Sequence, residues 1–277
     1  NADDGGSHDA LLAVLEEERG QSGTDVALLR YGFAPATGQW PNVAASTVRY
    51  RPDRTDFVLH WQGETWAMTT SLIGDYNIQN ILCAATIALG LGVAPAAILE
   101  GVDSLPGVVG RMERIDRGQD FLAIVDFAHS PASLERALHT LRGLVCQDGE
   151  GGQGRLIAVF GSAGLRDRAK RRHMGAVSGR RADFTVVTAE DPRTEELASI
   201  NAEIEAGLRE HGADDAFVVV PDRGEAIQFA IDMAEAGDVV CAFGKGHERS
   251  MCFGETEYPW SDQQAMLDAL AHRLGRE

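Results

Sequence analysis

Leu156-Ile-Ala-Val-Phe160-Gly161-Ser-Ala-Gly164-Leu-Arg166-Asp167-Arg168-Ala-Lys170-Arg171-Arg172 is the stretch on which the fold reading turns. Five apolar residues in a row make a strand buried on both faces, because a half-exposed strand would alternate. A glycine-rich turn follows, and a helical pattern runs over Lys170–Arg181. Strand, turn and helix in direct succession are the unit of a parallel sheet, whose strands need helical crossovers. The alternation continues on both sides. Further apolar strand runs occupy Phe121–Val125, Phe184–Val187, Ala216–Val220 and Val239–Phe243. Helical patterns fill Pro131–Val145, Glu195–Glu210, Arg223–Ala236 and Ser261–Leu274. The fold class is therefore α/β, with a mostly parallel sheet covered by helices.

The first hundred residues read differently. Asp9–Arg19 is a short helix, and Asp25–Arg30, Ser46–Arg51 and Asp56–Trp61 are strands. The last of these leads through Gly63-Glu64 into Thr65–Thr70 as a hairpin. Ile78–Leu91 is apolar on most sides, a buried helix ended by Gly92, and Ala94–Val102 is a second helix. A domain boundary is placed near Leu105–Gly110. Asp148–Gly154, a run of Gly, Asp, Glu and Gln, reads as a flexible surface loop.

Composition narrows the function. The 277 residues carry 25 Lys and Arg against 42 Asp and Glu, a net charge of −17. So acidic a chain is a poor general binder of nucleic acid or membrane surfaces. No apolar run reaches the length of a membrane span, and the first residues lack the pattern of a signal peptide. Cys83, Cys146, Cys241 and Cys252 form no Cys-x-x-Cys pair and are expected to be buried and reduced. The expectation is a soluble, cytoplasmic protein.

Ligands of such folds bind beyond the carboxyl ends of the strands, and polar residues crowd there. Asp126 and His129 follow the first strand. They suit a ribose hydroxyl, a metal or a phosphate, while Ser130 and Pro131 suit a helix cap. After the second strand, the glycines and five basic residues within seven favour an anion or carboxylate site over a solvated basic face. Thr188-Ala-Glu190-Asp191-Pro192-Arg193 follows the third strand. Its arginine suits a carboxylate and its acids an ammonium, which together clamp a zwitterion. An acid-rich helix start is the other reading. Pro221-Asp222-Arg223 looks mainly like a cap. Gly244-Lys245-Gly246-His247-Glu248 lets the backbone approach a ligand closely. Upstream, Asn77 and Asn80 could cap the buried helix or read a base edge, and Arg111 could reach a phosphate. The phosphate-loop pattern Gly-x-x-x-x-Gly-Lys-Ser/Thr is absent from the sequence.

Taken in order, Gly74–Asn80, Gly110–Glu113, Asp126–Pro131, Phe160–Met174, Thr188–Arg193, Asp222-Arg223 and Gly244–Glu248 resemble the Mur ligase family. The resemblance spans some three quarters of the chain, and within the family it is to the branch that adds a diamino acid to a UDP-N-acetylmuramoyl-dipeptide. It implies an ADP-forming amide ligase of cytoplasmic peptidoglycan synthesis. ATP phosphorylates the dipeptide carboxylate, and an amine then attacks the acyl phosphate. It implies residues 1–109 as part of a central ATPase domain and 110–277 as a Rossmann-like, amino-acid-binding C-terminal domain. Asn77 and Asn80 would lie near the adenine. Arg111, Asp126 and His129 would approach the nucleotide as catalytic and cofactor-binding residues. Arg166, Glu190, Asp191, Arg193, Gly244 and Glu248 would bind the incoming amino acid.

Two departures from the family pattern matter. The diaminopimelate-adding enzymes typically read Asp-Asn-Pro-Arg where this chain reads Glu190-Asp191-Pro192-Arg193. Arg193 favours meso-diaminopimelate, and the extra charge of Asp191 keeps L-lysine open. The family's phosphate loop, of Gly-Thr-Asn-Gly-Lys-Thr type, is not among these residues. The carbamylated lysine that helps hold Mg2+ would lie just upstream, as would the UDP-sugar domain. The chain alone is therefore expected not to turn over, and no metal ligands are assigned within it. Competing readings are another ligase of the superfamily, such as folylpolyglutamate synthase, and a non-catalytic amino-acid-binding protein. The oligomeric state is left open.

Overall fold

A four-stranded and a six-stranded sheet carry most of the strands in the computed structural model, which describes residues 1–22, 28–51, 53–145, 154–211 and 214–275. The chain divides into two compact units, Asn1–Pro106 and Gly107–Glu277.

In the first unit a helix, α1 (Gly5–Ser22), precedes four strands: β1 (Tyr31–Phe33), β2 (Val43–Tyr50), β3 (Thr55–Trp61) and β4 (Glu64–Thr70). They pair in that order, β1 parallel to β2 and the rest antiparallel. Thr55, Phe57 and Leu59 alternate inward along β3, as one-sided burial requires. The β3–β4 turn uses Gln62 and Gly63 at φ 51° and 83°, the left-handed pair that matches hairpin twist. Helices α2 (Asp75–Gly90) and α3 (Pro95–Asp103) follow, and Ile78, Leu82 and Ile98 join Phe57, Leu59 and Met68 in one core.

Several expectations shift here. The first helix is longer than Asp9–Arg19, and β2 starts at Val43 rather than Ser46 because Val43, Ala44 and Ala45 carry its burial. Of the expected strand Asp25–Arg30, residues 25–27 lie outside the described residues; Leu28–Arg30 are not strand, which begins at Tyr31. Helix α2 buries one face only, leaving Ile87 and, just beyond its end, Leu91 60% and 79% exposed. The loop Asp148–Gly154, except Gly154, and Cys146 also lie outside the described residues. Cys241 and Cys252 are buried and free, and Cys83 is free and half-buried.

In the second unit the strands are β5 (Glu113–Arg114), β6 (Leu122–Asp126), β7 (Leu156–Phe160), β8 (Phe184–Val187), β9 (Phe217–Val219) and β10 (Val239–Phe243). They form one sheet in the order β5-β6-β10-β7-β8-β9, parallel except for β5. The helices are α4 (Pro131–Val145), α5 (Ala169–Arg181), α6 (Leu197–Arg209), α7 (Arg223–Met233) and α8 (Asp262–Arg273). Helices α7 and α8 pack on one face, against Ala123, Val125, Ile157, Val159, Val240 and Ala242. The alternate residues of the same strands are also buried, and α4, α5 and α6 stand side by side against the sheet there. Strand β10 inserts between β6 and β7, so the loops after β6, β10, β7 and β8 share one edge. An antiparallel hairpin, β11 (Ser250–Phe253) and β12 (Thr256–Pro259), follows β10. Neither it nor β5 is evident in the sequence.

Candidate amino-acid and nucleotide site

The β7 and β8 loops are tied together first. Gly164 N donates to Asp191 O at 2.9 Å, and a Cβ on Gly164 would fall 2.0 Å from Pro192 O. Only glycine allows that approach. The glycines of this turn therefore serve a loop-to-loop contact. Its basic cluster is also largely engaged. Arg168 and the fully buried Arg171 pair with Glu203, Arg171 also with Glu195, and Arg172 with Glu210. Lys170 Nζ donates to His129 O at 2.9 Å. Four of the five basic residues thus make structural contacts, three of them with acids on or next to α6. Arg166 is exposed.

The acidic stretch after β8 divides its labour unevenly. Asp191, at φ 42°, accepts through Oδ1 from Lys245 Nζ and from Cys252 N, each at 2.9 Å. Lys245 Nζ also lies 2.6 Å from Glu248 Oε2. Asp191 and Glu248, the two acids outside the core, therefore share one lysine. Glu190 does not. It is 6% exposed, and its Oε2 is buried without a hydrogen-bond partner. Burial pushes its carboxyl up to about 7, against the pull of Arg223, Lys170 and Lys245. Gly244 makes room for it: at φ 106°, a Cβ there would meet Glu190 Oε2 at 2.2 Å. Arg193, at φ 54°, is fixed by backbone bonds from its N to Cys252 O and from Gly254 N to its O. Its Nε is buried with no acceptor. An unpaired acid and an unpaired guanidinium nitrogen thus lie three residues apart on one loop.

The β6 loop carries the second set. Asp126 is 5% exposed, and its two oxygens accept from Met112 N at 2.8 Å and Ala128 N at 2.9 Å. Burial raises its pKa, while those amides oppose the rise. Its carboxylate faces inward and fastens Gly110–Glu113 to the strand end. Arg111 beside it stacks its guanidinium 4.6 Å from the Phe127 ring centroid. The rings of His129 and His247 also pack on Phe127, at 4.6 and 4.7 Å. His129 and His247 are exposed. Arg111, His129 and His247 therefore converge on one aromatic ring at the strand edge. In the first unit, Asn77 is buried and donates to Ile73 O at 2.8 Å, so its amide serves the helix start. Asn80 is exposed, and its Nδ2 lies 3.4 Å from Asn77 Oδ1.

The sequence reading gave Arg223 no role beyond a cap and singled out neither Asp262 nor Gln263. Arg223 is fully buried and forms an ion pair with buried Asp262, at 2.6 Å. It also donates to Ala189 O and Phe243 O, the carbonyls just before Glu190 and Gly244. Asp222 is indeed the cap of α7, accepting from Glu225 N, but its neighbour fixes the ends of β8 and β10. Gln263 bridges Glu113 and Gly246 O, holding the β10 loop against Gly110–Glu113. No spacing rule marks these residues. The available signal is an arginine directly after a cap and a lysine between two glycines.

Residues 110–246 match the family model described as "Mur ligase, glutamate ligase domain". The chain belongs to the Mur ligase family. A UDP-N-acetylmuramyl-tripeptide synthetase from Roseiflexus sp. (strain RS-1) is 44% identical over 202 residues, 72% of this chain and 38% of that protein. A UDP-N-acetylmuramoyl-L-alanyl-D-glutamate–2,6-diaminopimelate ligase from Syntrophomonas wolfei is 38% identical over 222 residues, 80% of this chain and 44% of that protein. A solved structure of a ligase with that second name superposes with a TM-score of 0.65 at 29% identity, covering 95% of this chain and 51% of the other. The chain thus spans less than half the length of these two curated relatives. The likeness extends to the α/β fold with its parallel sheet. Among the described residues no helix is long and apolar enough to cross a membrane.

Proposed function

We propose that this Mur ligase chain receives the incoming amino acid in an ATP-dependent ligase that joins a diamino acid to UDP-N-acetylmuramoyl-L-alanyl-D-glutamate in the cytoplasm. The unsatisfied pair, Glu190 Oε2 and Arg193 Nε, carries the reading. Buried polar atoms are nearly always partnered, and a ligand bringing an ammonium and a carboxylate satisfies both. Arg166, Gly244 and Glu248 border the same loops, and Arg193 favours meso-diaminopimelate. Residues 1–109 are assigned to the end of the central ATPase domain and residues 110–277 to the C-terminal domain. In the second unit Arg111 and His129 are the residues assigned to ATP, and in the first unit Asn80 is assigned to the adenine. Asp126 acts by positioning Arg111, and Asn77 by holding the helix that bears Asn80. Among the described residues no group of three or more His, Cys, Asp or Glu could hold a metal ion, so no step is assigned to Mg2+.

Calorimetric titration of the chain with meso-diaminopimelate tests the reading. Binding is expected, weakened about tenfold or more in Arg193→Ala and in Glu190→Gln, since each removes a charge-assisted hydrogen bond. Equal affinity in both variants would remove these residues from the site.

A further inference from the structure

Gln263, at the start of α8, is 9% exposed, and its side-chain amide is engaged at both ends. Its Oε1 accepts from Ser261 Oγ at 3.0 Å, which fixes which way the amide points. Its Nε2 donates to Glu113 Oε2 at 2.8 Å and to Gly246 O at 2.9 Å. The same Glu113 oxygen accepts from Gly110 N at 2.8 Å. Three hydrogen bonds thus run in one chain from Gly246 O, in the loop after β10, to Gly110 N, in the turn that carries Arg111. The two loops also meet directly. A Cβ on Gly110 would fall 2.2 Å from His247 N, and one on Gly246 2.6 Å from Phe127 Cβ. The turn has little slack, with Gly110 and Met112 at φ 66° and 46° and Met112 N held by Asp126. Arg111 lies between these two residues, its guanidinium on the Phe127 ring. Close-packed structure of this kind passes a shift on rather than absorbing it.

We propose that Gln263 is a positioning residue: it sets where Arg111 stands relative to the loop after β10, so that a ligand held by that loop is felt at Arg111. The inference rests on the readings above, of that loop as ligand-binding and of Arg111 as nucleotide-facing. Gln263 touches neither ligand. It acts through the two donors of one amide nitrogen, one spent on Glu113 and the other on Gly246 O.

NMR spectra of the chain read this at two places, the Gly110 amide and Arg111 Nε–H, whose shift senses the Phe127 ring. Saturation with meso-diaminopimelate is expected to move both signals in the parent. In Gln263→Leu, which has no donors, the Arg111 response at saturation is expected to be lost. Without ligand, the Gly110 amide of that variant should exchange with solvent about tenfold faster, because Glu113 is no longer held in place to accept from it. Gln263→Lys again offers donors to both oxygens and is expected to restore the response. Gln263→Glu keeps the shape but sets an acceptor against Glu113 and Gly246 O. It should behave like Gln263→Leu, and it decides the matter should leucine disturb the packing of α8. Arg111 signals that respond in Gln263→Leu and Gln263→Glu as in the parent overturn the proposal, as does a parent that binds without any shift at Arg111. A loss that Gln263→Lys fails to restore also overturns it, since Gln263 would then serve only the packing of α8. Failure of meso-diaminopimelate to bind the unaltered chain removes the amino-acid reading. The ligand-free spectra then decide the role of Gln263 alone, and an unchanged Arg111 shift and Gly110 exchange rate in both variants would end it.

Discussion

Glu190 carries the consequence that is clearest at the scale of single residues. Its carboxyl is raised from an ordinary 4.5 to about 7 by burial. Between those values the folded chain holds a proton that the unfolded chain has released. Stability therefore falls as pH rises from about 4.5 to 7, and the loss levels off above that, at roughly 3 kcal/mol if no other group compensates. Glu190→Gln, which cannot ionise, is expected to match the parent near pH 5 and to melt at a higher temperature near pH 8. Thermal melts at the two values check this, and equal shifts at both would contradict it. Residues at this scale were legible in the sequence when their chemistry faced outward from a strand end. Glu190, Asp191, Arg193, Gly244 and Glu248 stand out as a charged, glycine-flanked set after apolar strands. Which acid is free was not legible, because it depends on where Lys245 reaches from a loop 54 residues away along the chain.

Between elements, the α5–α6 contact sets an unusual demand. A glycine inside an exposed helix normally costs about 1 kcal/mol relative to alanine. At Gly207 the sign reverses, because a Cβ would sit 1.9 Å from Arg172 O and 2.7 Å from Ala176 N. Both are backbone atoms, so the helices would have to separate. Gly207→Ala should destabilise by roughly 1–3 kcal/mol in urea unfolding, and a neutral or stabilising result would show that the helices slide freely. The Arg223–Asp262 pair links α7, α8 and the ends of β8 and β10 in the same way. Asp262→Ala leaves a buried guanidinium without its acid and is expected to cost about 3–5 kcal/mol. The double change Arg223→Met/Asp262→Leu should cost less than Asp262→Ala, and a larger loss would show that Arg223 matters mainly through its bonds to the two carbonyls. The apolar runs of β7, β8 and β10 made those strands legible to the residue, since both faces are buried. The hairpin β11–β12 was not legible: β12 is exposed throughout, and its first partner contributes two buried residues only. The basic run 166–172 was read as an anion site, yet it serves mainly the packing against α6. Sequence shows the charges but not their partners 24 to 38 residues further on.

At the scale of the whole molecule, the alternation of strands and helices after residue 110 was legible, and the strand order was not. Placing β10 between β6 and β7 is a choice of topology that no local pattern encodes, and it is what brings the β6, β7, β8 and β10 loops to one edge. Gly107–Glu277 encloses helices and sheet around its own core, so this segment expressed alone is expected to unfold in one cooperative transition and to retain amino-acid binding. Non-cooperative melting would show that its core depends on residues 1–106. Catalysis has different requirements. Phosphoryl transfer depends on positioning the nucleotide phosphates in a cradle of backbone amides with a metal ion beside them. The 277 residues contain no Gly-x-x-x-x-Gly-Lys-Ser/Thr loop, whereas the proposed amino-acid binding rests on the strand-end residues present here. The two activities should therefore separate. Given ATP, Mg2+, UDP-N-acetylmuramoyl-dipeptide and meso-diaminopimelate, the purified chain is expected to bind the amino acid and release no ADP above the rate without protein. ADP release that depends on the dipeptide would show that the chain assembles a phosphate site by other means, and would make Arg111 and His129 the first residues to substitute.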